Sequence, residues 1–145
     1  MAQSYTSLFI HLVSHTANNI RIPPDVEERL YPYIGGIIKK EIGSPIAING
    51  MDDHIHALFS LKADISVSKA SQLIKGNASK WLNETFDWRE RFHWQEGYGA
   101  FSVGLSSVER AKFYIQRQKE HHRKITAREE WDRFVKEHIK QLQSI

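Results

Sequence analysis

An α+β fold, with a small antiparallel sheet and helices on one face, is predicted by three observations. Stretches rich in β-branched and aromatic residues alternate with stretches of helical periodicity. Their order is strand, helix, strand pair, helix, strand, helix, helix, a βαββαβ-like pattern that suggests a ferredoxin-like layout. No linker, internal repeat or low-complexity tract breaks the 145 residues, so 1–145 is read as one domain.

The elements follow in order. "SYTSLFIHLVSHT" (4–16) reads as a strand from its β-branched and aromatic content. "PPDVEERLYPYIGGIIKKEIG" (23–43) reads as a helix opened by proline and acidic residues, with a kink expected at Pro32 or Gly35-Gly36. "SPIAINGMDDHIHALFSL" (44–61) reads as two strands joined near Gly50, or as one long bent strand. "DISVSKASQLIKGNASKWLNET" (64–85) carries Val67, Ala70, Ile74, Ala78 and Trp81 at spacings of three and four, the pattern of an amphipathic helix. "FHWQEGYGAFSVG" (92–104) returns to a strand, its glycines suggesting a bulge or a close backbone approach. "SSVERAKFYIQRQKEHHRK" (106–124) is a second strong helix with an apolar stripe through Val108, Ala111 and Ile115. Thr126 and Glu129 then form a capping box that opens a C-terminal helix.

Composition narrows the chemistry. Hydrophobic content of 41% with 26% charged residues is that of an ordinary soluble globular protein. No apolar run approaches the length of a membrane span, and the N-terminal residues lack a basic region and a cleavage site, so no secretion signal is read. The chain has no cysteine, which excludes disulfides and thiolate metal sites and fits a cytoplasmic location. The net charge of +3 is unevenly placed: Lys and Arg number four in residues 1–61 and sixteen in 62–145. That excess is densest between Arg110 and Arg128, where it serves either phosphate binding or a solvated helix face.

The stretch "GMDDHIHALFSL" (50–61) sets His54 and His56 one residue apart on a strand, so that both point to one face. Two such imidazoles can share a metal ion, or can be ordinary polar residues on an exposed face. Asp52 and Asp53, just before them, either orient an imidazole or sit in a turn. In "FYIQRQKEHH" (113–122), Tyr114 and Gln118 are four apart and share a helix face. By spacing alone Tyr114 reads as a packing residue at the core boundary and Gln118 as a surface residue. His11, His15, His93 and His138 are read as structural.

Taken together, "HIH" on a strand and "YIQRQ" on a later helix resemble the single-tyrosine HUH transposases of insertion sequences. "SQLIKGNASKWLN" and "FHWQEGYGAFSVG" resemble the helix and strand between those motifs. "YIQRQKEHHRK" is especially similar to the REP-associated, IS200-like branch. The resemblance spans about Ser7 to Thr126. It implies that Tyr114, on a C-terminal helix, is the catalytic nucleophile and that His54, His56 and Gln118 hold a divalent cation. Mg²⁺ is expected by availability, and Mn²⁺ suits two imidazoles at least as well.

The implied reaction is cleavage and rejoining of single-stranded DNA at hairpin-flanked ends through a 5′-phosphotyrosine, with no nucleotide cofactor. The implied assembly is a homodimer, in which the tyrosine of one subunit can complete the His pair of the other. Lys112, Arg117, Lys119, Arg123 and Lys124 are candidates for phosphate contact, with a solvated surface as the alternative. His121 and His122 are candidates for DNA contact or for supporting the site. Trp81, Trp94 and Tyr98 are candidates for base stacking, with core packing favoured for Trp81. Three other readings stand beside this one: a domesticated relative, a catalytically inert hairpin-binding protein, and a metallohydrolase that needs no tyrosine.

Overall fold

The structure is a computed structural model that describes residues 3–121 and 125–143; side chains at 139 and 141–143 are not described. Its sheet has four strands: β1 (Phe9–His15), β2 (Gly43–Met51), β3 (His54–Leu61) and β4 (Gly99–Val103). They lie in the order β2-β3-β1-β4, with every neighbouring pair antiparallel. The ferredoxin-like order expected from the sequence is therefore present.

Alternation along the strands divides the sheet into two faces. One carries Ile10, Leu12, Ile55, Ala57 and Phe59 into the main core. Helices α1 (Pro24–Ile37) and α2 (Val67–Thr85) cover it. Helix α1 contributes Val26, Leu30 and Ile34, and α2 contributes Ala70, Ile74, Ala78 and Leu82, each set four residues apart. Ser66 caps α2 by accepting a 3.0 Å hydrogen bond from the Lys69 amide. Helix α1 continues through Pro32 and Gly35-Gly36 and closes in a π-helical turn, Ile38–Ile42, that buries Ile38 and Ile42.

The opposite face carries His11, Val13 and His15 from β1, and His54, His56 and Leu58 from β3. Three further helices, α3 (Val108–Gln116), α4 (Gln118–His121) and α5 (Ala127–Gln143), follow β4. Their side chains meet this second face, so α1 and α2 alone occupy the first.

Three sequence expectations change. The β2–β3 turn falls at Asp52-Asp53 rather than near Gly50. Gly50 instead pairs with Ile55, where a Cβ would lie 2.2 Å from the His54 carbonyl oxygen. The strand expected over 92–104 shortens to Gly99–Val103. Gly97 adopts a left-handed φ of +84°, and the Asn83 amide satisfies both the N–H and the C=O of Phe92 at 2.8 and 2.9 Å in place of a ladder.

The helix expected over 106–124 stops at Gln116. Arg117 leaves helical geometry at φ −101°, ψ 19°. The cause is visible in β2: Asn49 donates to the Ile115 and Gln116 carbonyls at 3.0 and 3.2 Å, which a continuing helix would use itself. His122, Arg123 and Lys124 lie outside the described residues.

Candidate active site

The His pair of β3 sits fully buried on the second face. Asp53, in the preceding turn, lies 2.7 Å from His54 Nδ1. This hydrogen bond, foremost, holds the Asp53 carboxyl below its usual range, against the effect of burial. A carboxylate only accepts, so His54 donates from Nδ1 and turns Nε2 to the interior. Asp52 stays at the surface and pairs with Arg21 at 3.1 Å. The two aspartates thus serve both sequence readings, one orienting an imidazole and both forming the turn.

His56 Nδ1 lies 2.7 Å from His11 Nε2 on the neighbouring strand. Burial first, and then His56, push the His11 pKa down to about 3, with Glu130 pulling the other way. Histidine 11 is therefore neutral at physiological pH and able to accept from His56 Nδ1, which leaves His56 Nε2 facing the same interior point as His54 Nε2. His15 stacks on His54, with ring centroids 5.5 Å apart. Two histidines read as structural from the sequence thus support the pair directly.

Opposite the pair stands a residue that the sequence did not single out. Glu130 of α5 is buried, and its Oε1 lies 2.8 Å from His56 Nε2 and 3.5 Å from His54 Nε2. Its Oε2 accepts from the Tyr114 hydroxyl and, at 3.2 Å, from Gln118 Nε2. The same oxygen lies 3.2 Å from His121 Nε2. Burial would raise the carboxyl, but hydrogen bonds from His56 and Tyr114 and the charge of the imidazoles outweigh it and hold Glu130 ionised.

The helix carrying Tyr114 is α3, pinned to the sheet by buried Ile115 and by Asn49. Its ring centroid is 6.0 Å from that of His56 in the same chain, and the hydroxyl lies 3.1 Å from His121 Nε2. Burial first, and then the hydrogen bond to Glu130, push the phenol well above its ordinary range, so it rests protonated. Although the helix breaks at Arg117, Gln118 is buried and its Oε1 comes within 3.3 Å of His54 Nε2.

These atoms make a coherent donor set for a cation. Ligand atoms of His54, His56 and Glu130 all lie within 4.8 Å of one another, and Gln118 adds an amide oxygen. Lone pairs and acceptor oxygens converge there, so either protons on the imidazoles or a cation must lie between them. The 2.8–3.5 Å contacts resemble the ~3 Å edges of an octahedron with bonds of about 2.1 Å. A buried His54–His56–Glu130 group can bind a metal.

The remaining sequence candidates take varied places. Lys119 contacts the Glu27 carboxylate and donates to the Gly50 carbonyl at 2.6 Å, fastening α4 to the His-bearing hairpin. Arg117 pairs with Glu120 and lies over Phe113 at 5.0 Å. Lys112 is half-buried on α3. Trp94 is buried and donates to the Lys75 carbonyl at 3.0 Å, and Trp81 stacks on Tyr33 at 4.5 Å, so both are packing residues. Tyr98 alone of the three is exposed.

A weak signal for His11 and His15 was present, since both fall on one face of a strand. Glu130 had none, because a glutamate beside Glu129 on an amphipathic helix looks solvated.

Comparisons with known proteins agree with this architecture. The family model for IS200-like transposases matches residues 4–118. No curated protein matches the chain. Among solved structures, the chain is similar to a candidate transposase from Deinococcus radiodurans R1, with a TM-score of 0.63 and 17% identity over 81% of this chain and 96% of that one. It is also similar to a REP-associated tyrosine transposase bound to a REP hairpin, with a TM-score of 0.61 and 13% identity over 84% of this chain and 74% of that one. With the match spanning most of its length, the chain belongs to the IS200-like transposase family.

Proposed function

We propose that this protein cuts and rejoins single-stranded DNA at hairpin-flanked ends through a covalent link to Tyr114. The observation that carries the reading is the meeting of the Tyr114 hydroxyl with the His54–His56–Glu130 group in one buried cluster. A metal site alone would fit a hydrolase; a phenol held against it gives a nucleophile. The solved relative bound to a REP hairpin supports hairpin DNA as the substrate class.

His54 and His56 would hold the cation, with Glu130 and Gln118 as oxygen ligands beside them. Mn²⁺ suits the two imidazoles and Mg²⁺ the oxygens. Such an ion supplies positive charge to the scissile phosphate. The chain's own groups do the rest. Tyr114 Oη attacks phosphorus and its proton passes to Glu130 Oε2, the acceptor it already faces. The P–O3′ bond breaks, and the departing 3′-oxygen takes a proton from water. A 5′-phosphotyrosine remains, and attack by another 3′-hydroxyl reverses the step, so the phosphodiester is exchanged and not hydrolysed.

Covalent trapping tests this. The protein is mixed with labelled single-stranded hairpins bearing randomised flanks and with Mn²⁺ or Mg²⁺, then run on a denaturing gel. A metal-dependent protein–DNA adduct that vanishes in Tyr114→Phe is expected. Cleavage without an adduct, unchanged in Tyr114→Phe, would point to a metallohydrolase. Tight hairpin binding with neither would point to an inert binder.

A further inference from the structure

Beside the Tyr114–Glu130 contact lies a cavity of about 790 Å³ between α3, α5 and the end of β4. That volume falls within the range of pockets that hold small organic ligands. Its lining includes the rings of Tyr114 and Phe134 and the imidazoles of His11, His121 and His138. Phe134 packs edge-on to Tyr114 with centroids 6.0 Å apart and edge-on to His11 at 5.4 Å, and it stacks on Phe101 at 5.0 Å. His138, one turn further along α5, lies 4.4 Å from Phe101.

The rim is cationic. Arg110 of α3 and Arg133, Lys136 and Lys140 of α5 are exposed around the cavity, against the two carboxylates Glu130 and Glu137. Flat apolar walls suit a heterocyclic ring, and a positive rim suits the phosphates joined to it. The position decides what kind of ring. Because Tyr114 and Glu130 line this cavity as well as the metal group, an occupant would lie next to the phosphate that Tyr114 attacks.

We propose that this cavity is a subsite for one unpaired nucleobase adjacent to the attacked phosphate, with Arg110 and Arg133 meeting the flanking phosphates. The inference rests on the reading of Tyr114 as a DNA nucleophile. It adds a reason for single-strand selectivity, since a base inside a duplex must first give up its pairing and stacking to enter. It also gives α5, which lies beyond the family-matched residues 4–118, a part in substrate recognition.

Photocrosslinking tests the subsite without relying on catalysis. The full chain carrying Tyr114→Phe, so that nothing is cut, is mixed with Mn²⁺ and a 12-nucleotide oligothymidylate. Each position in turn carries one 5-iodouracil, and crosslinked peptides are mapped by mass spectrometry. Crosslinks to Phe134 or His138 from one position are expected. An abasic nucleotide at that position should weaken binding about tenfold. Ala111→Phe, which narrows the cavity, should weaken binding by a similar factor while retaining cooperative thermal unfolding.

Crosslinks confined to other surfaces, with Ala111→Phe binding as tightly as the parent, overturn the subsite. If hairpins still give the Tyr114 adduct in that case, the transposase reading stands and only the subsite falls. Absence of both oligonucleotide binding and adduct overturns both.

Discussion

Glu130 joins two chemistries through its two oxygens, one turned to the His pair and the other to the tyrosine. Replacing it with Gln keeps the shape but removes the anion. Calorimetric or spectroscopic titration with Mn²⁺ should show affinity falling by at least tenfold, in line with the ~10–100-fold losses seen for groups that only support metal ligands. In the parent protein, Mn²⁺ at a hundred times its dissociation constant should add about 2.7 kcal/mol to the unfolding free energy, and at the same concentration Glu130→Gln should lose about half of that gain or more. His11 makes a different prediction, for the metal-free protein. Its pKa falls from 6.5 to about 3 on folding, so between those values the unfolded chain binds the extra proton. Stability therefore falls as pH drops through that window, by up to about 1.4 kcal/mol per pH unit. Glu130 and Asp53, held below their usual values, add losses of the same sign at lower pH. In His11→Gln, thermal unfolding followed from pH 6.5 to 4 should show a shallower decline than in the parent.

At the scale of elements, the site depends on how α3 docks on β2. Asn49 holds both terminal carbonyls of α3, and that contact ends the helix and turns Gln118 inward. Asn49→Ala should cost about 1–2 kcal/mol in denaturant unfolding. It should lower adduct yield by more than this loss of folded protein explains, because the tyrosine helix loses its anchor. The sequence made most elements legible. Ala70, Ile74 and Ala78 repeat with the period of a helix, and the alternation of His54, Ile55, His56 and Ala57 is that of a strand. The break at Arg117 was not legible, since it is imposed by a side chain 66 residues away from Ile115. The shortened β4 has a similar cause: Phe92 carries a strand-like side chain, but Asn83 of α2 satisfies its backbone groups instead, and strand pairing upstream of Gly99 is reduced to an isolated bridge between Trp94 and Thr16.

For the whole molecule, one chain brings Tyr114, both histidines, Gln118 and Glu130 together. A mixture of Tyr114→Phe and His54→Ala proteins should therefore give no more adduct than either alone. Restored adduct would mean that the tyrosine acts across a dimer, the arrangement implied by family resemblance. No helix among the described residues is long and apolar enough to cross a membrane. By itself the sequence determined the order of elements and the pairing of His54 with His56 on one face, because both follow from local period and short spacing; Tyr114 as nucleophile came from the family resemblance of its motif. Only the tertiary structure decided the partners of those groups. His11 reaches His56 through strand pairing across 45 residues, and Glu130 reaches it from a helix 74 residues on. No periodicity encodes such distances; they exist once the sheet forms and α5 folds over its second face.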